Sequence, residues 1–274
     1  MTRSTRRTRM LRSGVAGAAA LLVLGACSSS SSDGSSAAGS DTSASAAPKL
    51  SGTVTVFAAA SLKESFTALG KQFEQQHPGT KVSFNFGGSD SLAASITSGA
   101  PADVFAAASP RTMAIVTDKN DADGTPVTFV RNQLEIATAP GNPDRISSLK
   151  DLTRSGLKVV LCDRTVPCGS AAQKVLEASN LKLTPVSYEQ DVKGALTKVE
   201  LKEADAALVY KTDVKAAADR VRGVEFPESA EAVNDYPIAL LKNAPNAAAA
   251  KAFIELVTSA DGQKVLAGAG FLKP

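Results

Sequence analysis

Four predicted helices begin with small polar residues, and each of them follows a predicted strand. The four starts are Ser61 and residues 89–91, 168–170 and 191–194. The first turn of a helix has unpaired backbone N–H groups and a positive partial charge, and serine hydroxyls add donors that rotate toward an acceptor. Several such starts around one cleft would bind an anion without any lysine or arginine. Each residue taken alone is also an ordinary helix cap, so the interpretation depends on whether the fold brings the four starts together.

The elements that must position these residues alternate between strands and helices. Segments 54–58, 81–86 and 103–107 are short, apolar and rich in β-branched or aromatic residues, and apolar residues at helical spacing separate them. A second series of the same kind runs through residues 134–210, and a strand near residues 236–240 precedes two final helices. This alternation predicts an α/β protein in which helices cover parallel sheets. In such sheets ligands bind beyond the C-terminal strand ends, where the polar helix starts fall.

The two series predict two doubly wound lobes joined by two crossing segments. We expect residues 51–130 together with 237–274 to form the first lobe and residues 131–236 to form the second. The crossings should then lie near positions 130–131 and 235–236. About 225 residues remain for the two lobes once the N-terminal region is set aside, which supports a sizeable core.

The N-terminal region is typical of an exported protein. Five arginines without any acidic residue precede the apolar residues 15–24, a pattern typical of a signal peptide and too short for an ordinary membrane span. The stretch ends in Leu-Gly-Ala before Cys27, which resembles a bacterial lipobox. We therefore predict a lipoprotein signal peptide in residues 1–27, a lipid anchor at Cys27 and a flexible Ser- and Ala-rich tether in residues 28–50. A plain secretory signal with a nearby cysteine and a twin-arginine export route are open alternatives.

Export changes the meaning of the charge balance. The whole chain carries a net charge of +3, but five positive charges lie in the signal, so the mature chain carries a net charge of −2. The positive total is therefore not a nucleic-acid footprint. We predict an extracytoplasmic monomer that is anchored to the cell membrane and binds no nucleic acid.

The few cysteines and histidines limit the possible chemistry. Cys162 and Cys168 are close in sequence and would share an oxidising compartment, which favours a short disulfide; two unpaired buried thiols are the alternative. His77 is the only histidine, so we expect no protein-ligated metal ion. It would also be the only histidine base for an exported serine hydrolase, the competing class, and neither Ser89 nor Ser170 lies in a G-x-S-x-G elbow. We predict that His77 is a solvated surface residue and that the chain is not an enzyme and needs no cofactor.

Four short strings give the chain a resemblance to a known family. They are AAASL at 58–62, GAPADVF at 99–105, DVKGAL at 191–196 and ALVY at 207–210. With their spacing, they make residues 51–274 resemble the periplasmic molybdate-binding proteins of ABC transporters. The resemblance implies a fold like that of type II periplasmic binding proteins. It also implies capture of molybdate, or equally of tungstate, for delivery to a membrane permease.

The resemblance also implies a set of ligand contacts. These are the hydroxyl groups of Ser61, Ser89 and Tyr210 and the backbone N–H groups of Cys168 and Val192. Asp90 departs from the serine run common in this loop, and we expect its carboxylate to point outward or to cap the helix. A site made of donors alone favours molybdate, tungstate or sulfate, which carry no proton at neutral pH, over phosphate. The choice of molybdate over sulfate depends on the resemblance.

Overall fold

The computed structural model describes residues 49–274, in which strands and helices alternate. The predicted signal peptide, its Cys27 and most of the predicted tether lie outside these residues. The strands are β1 (Gly52–Ala59), β2 (Thr80–Gly87), β3 (Val104–Ala106), β4 (Ala122–Asn132), β5 (Leu134–Thr138), β6 (Val159–Cys162), β7 (Ser187–Glu189), β8 (Ala206–Tyr210), β9 (Arg222–Val224) and β10 (Asn234–Leu241). The α-helices are α1 (Lys63–Gln76), α2 (Ser89–Thr97), α3 (Pro110–Thr117), α4 (Pro167–Ala178), α5 (Val192–Glu200), α6 (Lys211–Ala216), α7 (Ala247–Thr258) and α8 (Ala260–Ala269). Short 3-10 helices occupy Ala60–Leu62, Leu149–Thr153 and Pro227–Ala232. None of the helices in residues 49–274 is long and apolar enough to cross a membrane.

The first sheet has the strand order β2-β1-β3-β10-β4. β1 pairs in parallel with β2 and β3, whereas β10 runs antiparallel to β3 and β4. β1 is an apolar run because its two faces are both covered: Val56 belongs to one buried cluster and Phe57 to another. In the larger cluster, Phe66 and Phe73 of α1 meet Phe253 of α7 edge to face, with ring centroids 5.9 and 5.6 Å apart. This sheet and its helices form the first lobe.

The second sheet has the same arrangement, with the strand order β7-β6-β8-β5-β9. β6 pairs in parallel with β7 and β8, and β5 runs antiparallel to β8 and β9. Helices α4, α5 and α6 pack against it, and Ile136, Leu161, Val175 and Leu208 lie in its buried core. This second lobe confirms the predicted α/β class and the two-lobed organisation.

The chain crosses between the sheets twice. Gln133 is the only residue between β4 and β5, and the segment after β9 leads back to β10. The sequence predicts crossings at positions 130–131 and 235–236, but these residues pair with one another, and the pairing continues to Asn132 and Asn234. The two crossings therefore lie a few residues closer to the second sheet than predicted, because β4, which the local pattern does not predict, pairs with β10 as far as Asn132 and Asn234. The predicted lobe limits themselves stay a prediction.

Candidate anion-binding site

A pocket lies between the two lobes, where polar helix starts and strand ends of both sheets meet. We call it the interlobe pocket. It is lined by Ala59, Ala60, Ser61, Gly87, Gly88, Ser89 and Ala108 from the first lobe and by Val166, Pro167, Cys168, Asp191, Val192 and Tyr210 from the second. All five predicted contact residues are among them. The pocket has at most about 220 Å³ of space between atoms, below the roughly 300–1,000 Å³ typical of pockets for drug-sized ligands. Its size therefore suits a small inorganic ion.

The first lobe presents two buried serine hydroxyls. Ser89 begins α2, and its Oγ accepts a hydrogen bond from the Ala108 N–H at 3.0 Å. Because this bond uses a lone pair of Oγ, the hydroxyl hydrogen is left to donate into the pocket. Ser61 lies in the 3-10 helix after β1, and its Oγ is 2.8 Å from the hydroxyl oxygen of Tyr236. Both serines are at least 96% buried, so a ligand that accepts from them satisfies donors that bulk water hardly reaches.

Two tyrosines and two asparagines orient further donors. The Tyr236 hydroxyl accepts from Asn132 Nδ2 at 3.3 Å, and the Tyr210 hydroxyl accepts from Asn234 Nδ2 at 2.8 Å. Burial raises the pKa of both phenols well above the ordinary value, so both keep their proton. Either oxygen of the Tyr236–Ser61 pair can donate, and with Tyr236 as the donor the Ser61 hydrogen is free for the pocket. Tyr210 is left to donate to the pocket directly.

The second lobe adds backbone donors from the starts of α4 and α5. The two helices begin at Pro167, one residue before the predicted start at 168–170, and at Val192, within the predicted start at 191–194. Proline suits this first helical position because it has no N–H to leave unpaired. The N–H groups of Cys168 and Val192 consequently lie in a first turn, where the helix provides no internal acceptor. Asp191 caps α5, and its Oδ1 accepts from the Gly194 N–H at 2.9 Å.

A disulfide fixes one side of the pocket. Cys162 at the end of β6 is bonded to Cys168 in the first turn of α4, with Cα atoms 5.8 Å apart. The sequence favours this disulfide over two free thiols, and the structure contains it. The lining residues Val166 and Pro167 lie inside the closed loop. This part of the pocket is therefore held by a covalent link as well as by packing.

The electrostatics of the pocket come from dipoles. Among the described residues that line it, none is lysine or arginine, and the charged lining residue Asp191 is engaged as a helix cap. Lys193 is close by, but its Nζ lies 2.9 Å from Glu64 and 3.0 Å from Asp213. Burial lowers the Lys193 pKa, but these two carboxylates outweigh burial and raise it above the ordinary value. Residues 49–274 contain no cluster of three or more His, Cys, Asp or Glu side chains able to hold a metal ion.

Asp90 does not line the pocket, and it neither points outward nor caps the helix as predicted. The N-cap of α2 is Gly88, without a side-chain hydrogen bond, and Asp90 is half-buried instead of pointing outward. Its Oδ1 is buried and has no hydrogen-bond partner among the described residues. A Cβ atom at Gly88 would lie 2.8 Å from this oxygen and 2.7 Å from the carbonyl oxygen of Gln190 in the second lobe. Glycine at position 88 thus permits the close approach of the two lobes.

His77 has no place at the pocket. It caps the C-terminal end of α1 and packs against Phe73 with ring centroids 4.5 Å apart and a tilt of 47°, so it is half-buried and not fully solvated as predicted. It is not among the residues that line the interlobe pocket. The histidine base that a serine hydrolase would need is therefore missing from the described part of this site.

The residues that orient the hydroxyl donors were not predicted from the sequence. Asn132, Asn234 and Tyr236 lie in β4 and β10, two strands that lead to the crossings between the lobes. Asparagine is depleted in strands, so an asparagine beside each predicted crossing is a usable signal. The local pattern does not predict strand β4, however, and without it the pairing of these residues cannot be seen.

Comparison with known proteins identifies the family. The family model for bacterial extracellular solute-binding proteins matches residues 54–272. The molybdate-binding protein ModA of Mycobacterium tuberculosis is 46% identical over 222 residues, covering 81% of this chain and 85% of that protein. The solved substrate-binding domain of a putative molybdenum ABC transporter from Clostridium difficile is 30% identical, with a TM-score of 0.62, covering 82% of this chain and all of that chain. The periplasmic molybdate-binding protein of Azotobacter vinelandii shares the fold at 20% identity, with a TM-score of 0.71, covering 81% and 99% of the two chains.

The match agrees with two predictions made from the sequence. The family is extracellular, as expected from the signal-like N-terminal region, and its members bind solutes and are not enzymes. The matched residues include all five predicted ligand contacts and both lobes. This chain therefore belongs to the bacterial extracellular solute-binding proteins.

Proposed function

We propose that this chain captures molybdate in the interlobe pocket and delivers it to the permease of an ABC transporter. The main support is a small pocket whose described lining offers hydroxyl and amide donors and neither lysine nor arginine. A dianion without protons suits such a pocket because each of its oxygens accepts hydrogen bonds and none donates. The 46% identity to a molybdate-binding relative supports molybdate as this dianion.

Five residues would contact the anion. They are Ser61, Ser89 and Tyr210 through their hydroxyl groups and Cys168 and Val192 through their backbone N–H groups. The hydrogen bonds that the Ser89 and Tyr210 oxygens already accept support this role, because they leave the two hydroxyl hydrogens to point into the pocket. Since the contacts come from both lobes, we propose that binding closes the lobes about the two crossings, and that the closed form docks to the permease.

The proposed ligands include tungstate, which has the same charge and the same lack of protons as molybdate. Sulfate is the alternative oxyanion, and it is smaller. Phosphate keeps a proton near neutral pH and benefits from a carboxylate acceptor, whereas the Asp191 carboxylate already accepts a hydrogen bond from the α5 start.

Calorimetric titration of the purified protein with the four anions tests this proposal. We expect saturable 1:1 binding of molybdate and tungstate, weaker binding of sulfate and no binding of phosphate. Tighter binding of sulfate than of molybdate would favour the alternative oxyanion. If no tetrahedral dianion bound, the proposed function would be wrong.

The proposed anchor is a lipid on Cys27, which keeps a monomeric binding protein near its permease and raises its local concentration there. The basic and apolar residues before Cys27 support it. In a Cys27→Ala variant the protein should leave the membrane fraction, and Cys162 and Cys168 should be unaffected. A variant that stays anchored would contradict lipidation at this residue.

A further inference from the structure

Three ionised side chains form a cluster that bridges the lobes beside the interlobe pocket. Nζ of Lys193, in α5 of the second lobe, lies 3.0 and 2.9 Å from the carboxylate oxygens of Glu64, in α1 of the first lobe. It also lies 3.0 Å from Oδ1 of Asp213, in α6 of the second lobe. The side chain of Asp213 is fully buried, whereas those of Lys193 and Glu64 are 22% and 49% exposed. The Lys193–Glu64 contact therefore joins the lobes at the rim of the cleft.

Each member of the cluster is tied to one of the predicted ligand contacts. Glu64 lies one helical turn beyond Ser61, and Lys193 directly follows Val192. Asp213 Oδ2 accepts the backbone N–H of Tyr210 at 3.2 Å. Movement of the cluster would consequently move the donors that surround the anion.

We propose that Lys193 is a positioning residue that latches the two lobes together over the bound anion by its ion pair with Glu64. This inference rests on the proposed function, because the latch acts on the ligand of the interlobe pocket. Asp213 belongs to the same lobe as Lys193, so their ion pair is kept when the lobes separate. It holds the ammonium group in the position where Glu64 meets it. Glu64 reaches it only when the first lobe closes.

The charges of the cluster support a role in holding and not in attracting the anion. Burial raises the Asp213 pKa, and the adjacent Lys193 ammonium limits this rise to a value of about 6, so the carboxylate is ionised at neutral pH. Two carboxylates around one ammonium leave the cluster with net negative charge. A net negative cluster does not draw a dianion into the cleft, so the latch should slow release without speeding capture.

A Glu64→Gln variant tests the latch at its exposed end. Replacement of Lys193 itself would leave Asp213 as an unpaired buried carboxylate and is expected to destabilise the fold. The matched control is Glu203→Gln, which breaks the Lys198–Glu203 pair of the second lobe, where the acidic side chain is 51% exposed. Release of radiolabelled molybdate into excess unlabelled molybdate, and the association rate, should be measured for both variants and for the unchanged protein.

We expect Glu64→Gln to release molybdate about two- to fivefold faster, without a fall in the association rate. The difference should shrink at high ionic strength because salt screens a partly exposed ion pair, and Glu203→Gln should behave like the unchanged protein. Equal release rates for the two variants at low salt would overturn the latch while leaving the proposed function intact. If the unchanged protein bound no molybdate, the proposed function would be wrong and the latch would fall with it.

Discussion

Two pockets of this protein differ in the polar groups that line them, and this difference decides which of them can bind an anion. The interlobe pocket is small and is lined by hydroxyl groups and helix starts. The second pocket, here called the Glu135 pocket, has about 780 Å³ of space between atoms and lies beside the first crossing. It is lined by Gln133, Leu134, Glu135, Lys211, Glu225, Phe226, Pro227, Ser229 and Ala230. The larger pocket is the poorer candidate, because two of its lining residues are glutamates and only one is a lysine.

The protonation of Glu135 adds to the difference between the two pockets. The residue is 8% exposed, and burial together with the neighbouring Glu225 raises the pKa of its carboxyl group to about 7. Lys211 forms an ion pair with Glu225 and so does not neutralise Glu135 fully. An oxyanion would meet acceptors and negative charge here, whereas in the interlobe pocket it meets donors. The arrangement of donors, and not the size of a cavity, identifies the site.

The largest expected effect comes from placing a carboxylate in the interlobe pocket. Ser89→Asp should reduce molybdate affinity by about a thousandfold or more, since like charges about 4 Å apart repel by about 4 kcal/mol at an effective dielectric constant near 20. The matched control is Ala230→Asp, which adds the same charge at an exposed position of the Glu135 pocket. Calorimetric titration should show normal affinity for the control. Equal losses in both variants would remove the distinction between the pockets.

Removal of single donors should have a smaller effect. Ser89→Ala and Ser61→Ala should each weaken binding by about 1–3 kcal/mol, because a ligand oxygen loses a donor in a buried site. Ser91→Ala is the control: the residue is exposed, its hydroxyl donates to the Gly88 carbonyl at 2.9 Å, and it does not line the pocket. Titrations of the three variants with molybdate make the comparison. Unchanged affinity in both Ser61→Ala and Ser89→Ala would contradict the assigned contacts.

Reduction of the disulfide should lower stability more than affinity. Opening the short Cys162–Cys168 loop is expected to cost up to about 2 kcal/mol of unfolding free energy, a fall in Tm of a few degrees for a chain of this size. Affinity should fall only a few-fold, because the Cys168 N–H keeps its helix position. Calorimetric melting with and without reductant measures the first effect. Two free thiols in the untreated exported protein would contradict this prediction.

The smallest expected effect concerns the Glu135 pocket and appears only in the pH dependence of stability. Because the folded-state pKa of Glu135 lies above the unfolded value, the free energy of unfolding should fall as pH rises from about 4.5 to about 7. In Glu135→Gln the free energy of unfolding should fall by about 1–2 kcal/mol less over this pH range than in the unchanged protein. This difference is smaller than the full pKa shift would give, because the carboxyl group faces an open pocket. Urea unfolding at several pH values measures it, and molybdate affinity should not change. A loss of affinity in this variant would tie the Glu135 pocket to ligand binding.

The sequence predicts the residues that line the pocket better than the contacts that support them. Ser61, Ser89 and Tyr210 lie at strand ends next to helix starts, so local patterns locate them, and the resemblance assigns the hydroxyl roles. Because ligands of α/β proteins bind beyond the C-terminal ends of parallel strands, the predicted alternation of strands and helices is enough to place these residues around one cleft.

The supporting contacts could not be predicted because they join distant parts of the chain. Asn132 donates to Tyr236 across 104 residues, and Lys193 meets Glu64 across 129. These pairs depend on how the sheets pair and how the lobes approach, and no local pattern contains that information. The crossings lie a few residues from the predicted positions for the same reason: the β4–β10 ladder is a non-local feature.

A crystal structure of the protein grown with molybdate would show directly whether the interlobe pocket holds the anion. We predict one tetrahedral anion in the interlobe pocket, with its oxygens within about 3 Å of the hydroxyl groups of Ser61, Ser89 and Tyr210 and of the N–H groups of Cys168 and Val192. No lysine or arginine nitrogen should contact it, and the Lys193–Glu64 pair should be formed. An anion held by a lysine or arginine, or bound outside this pocket, would contradict the proposed binding site.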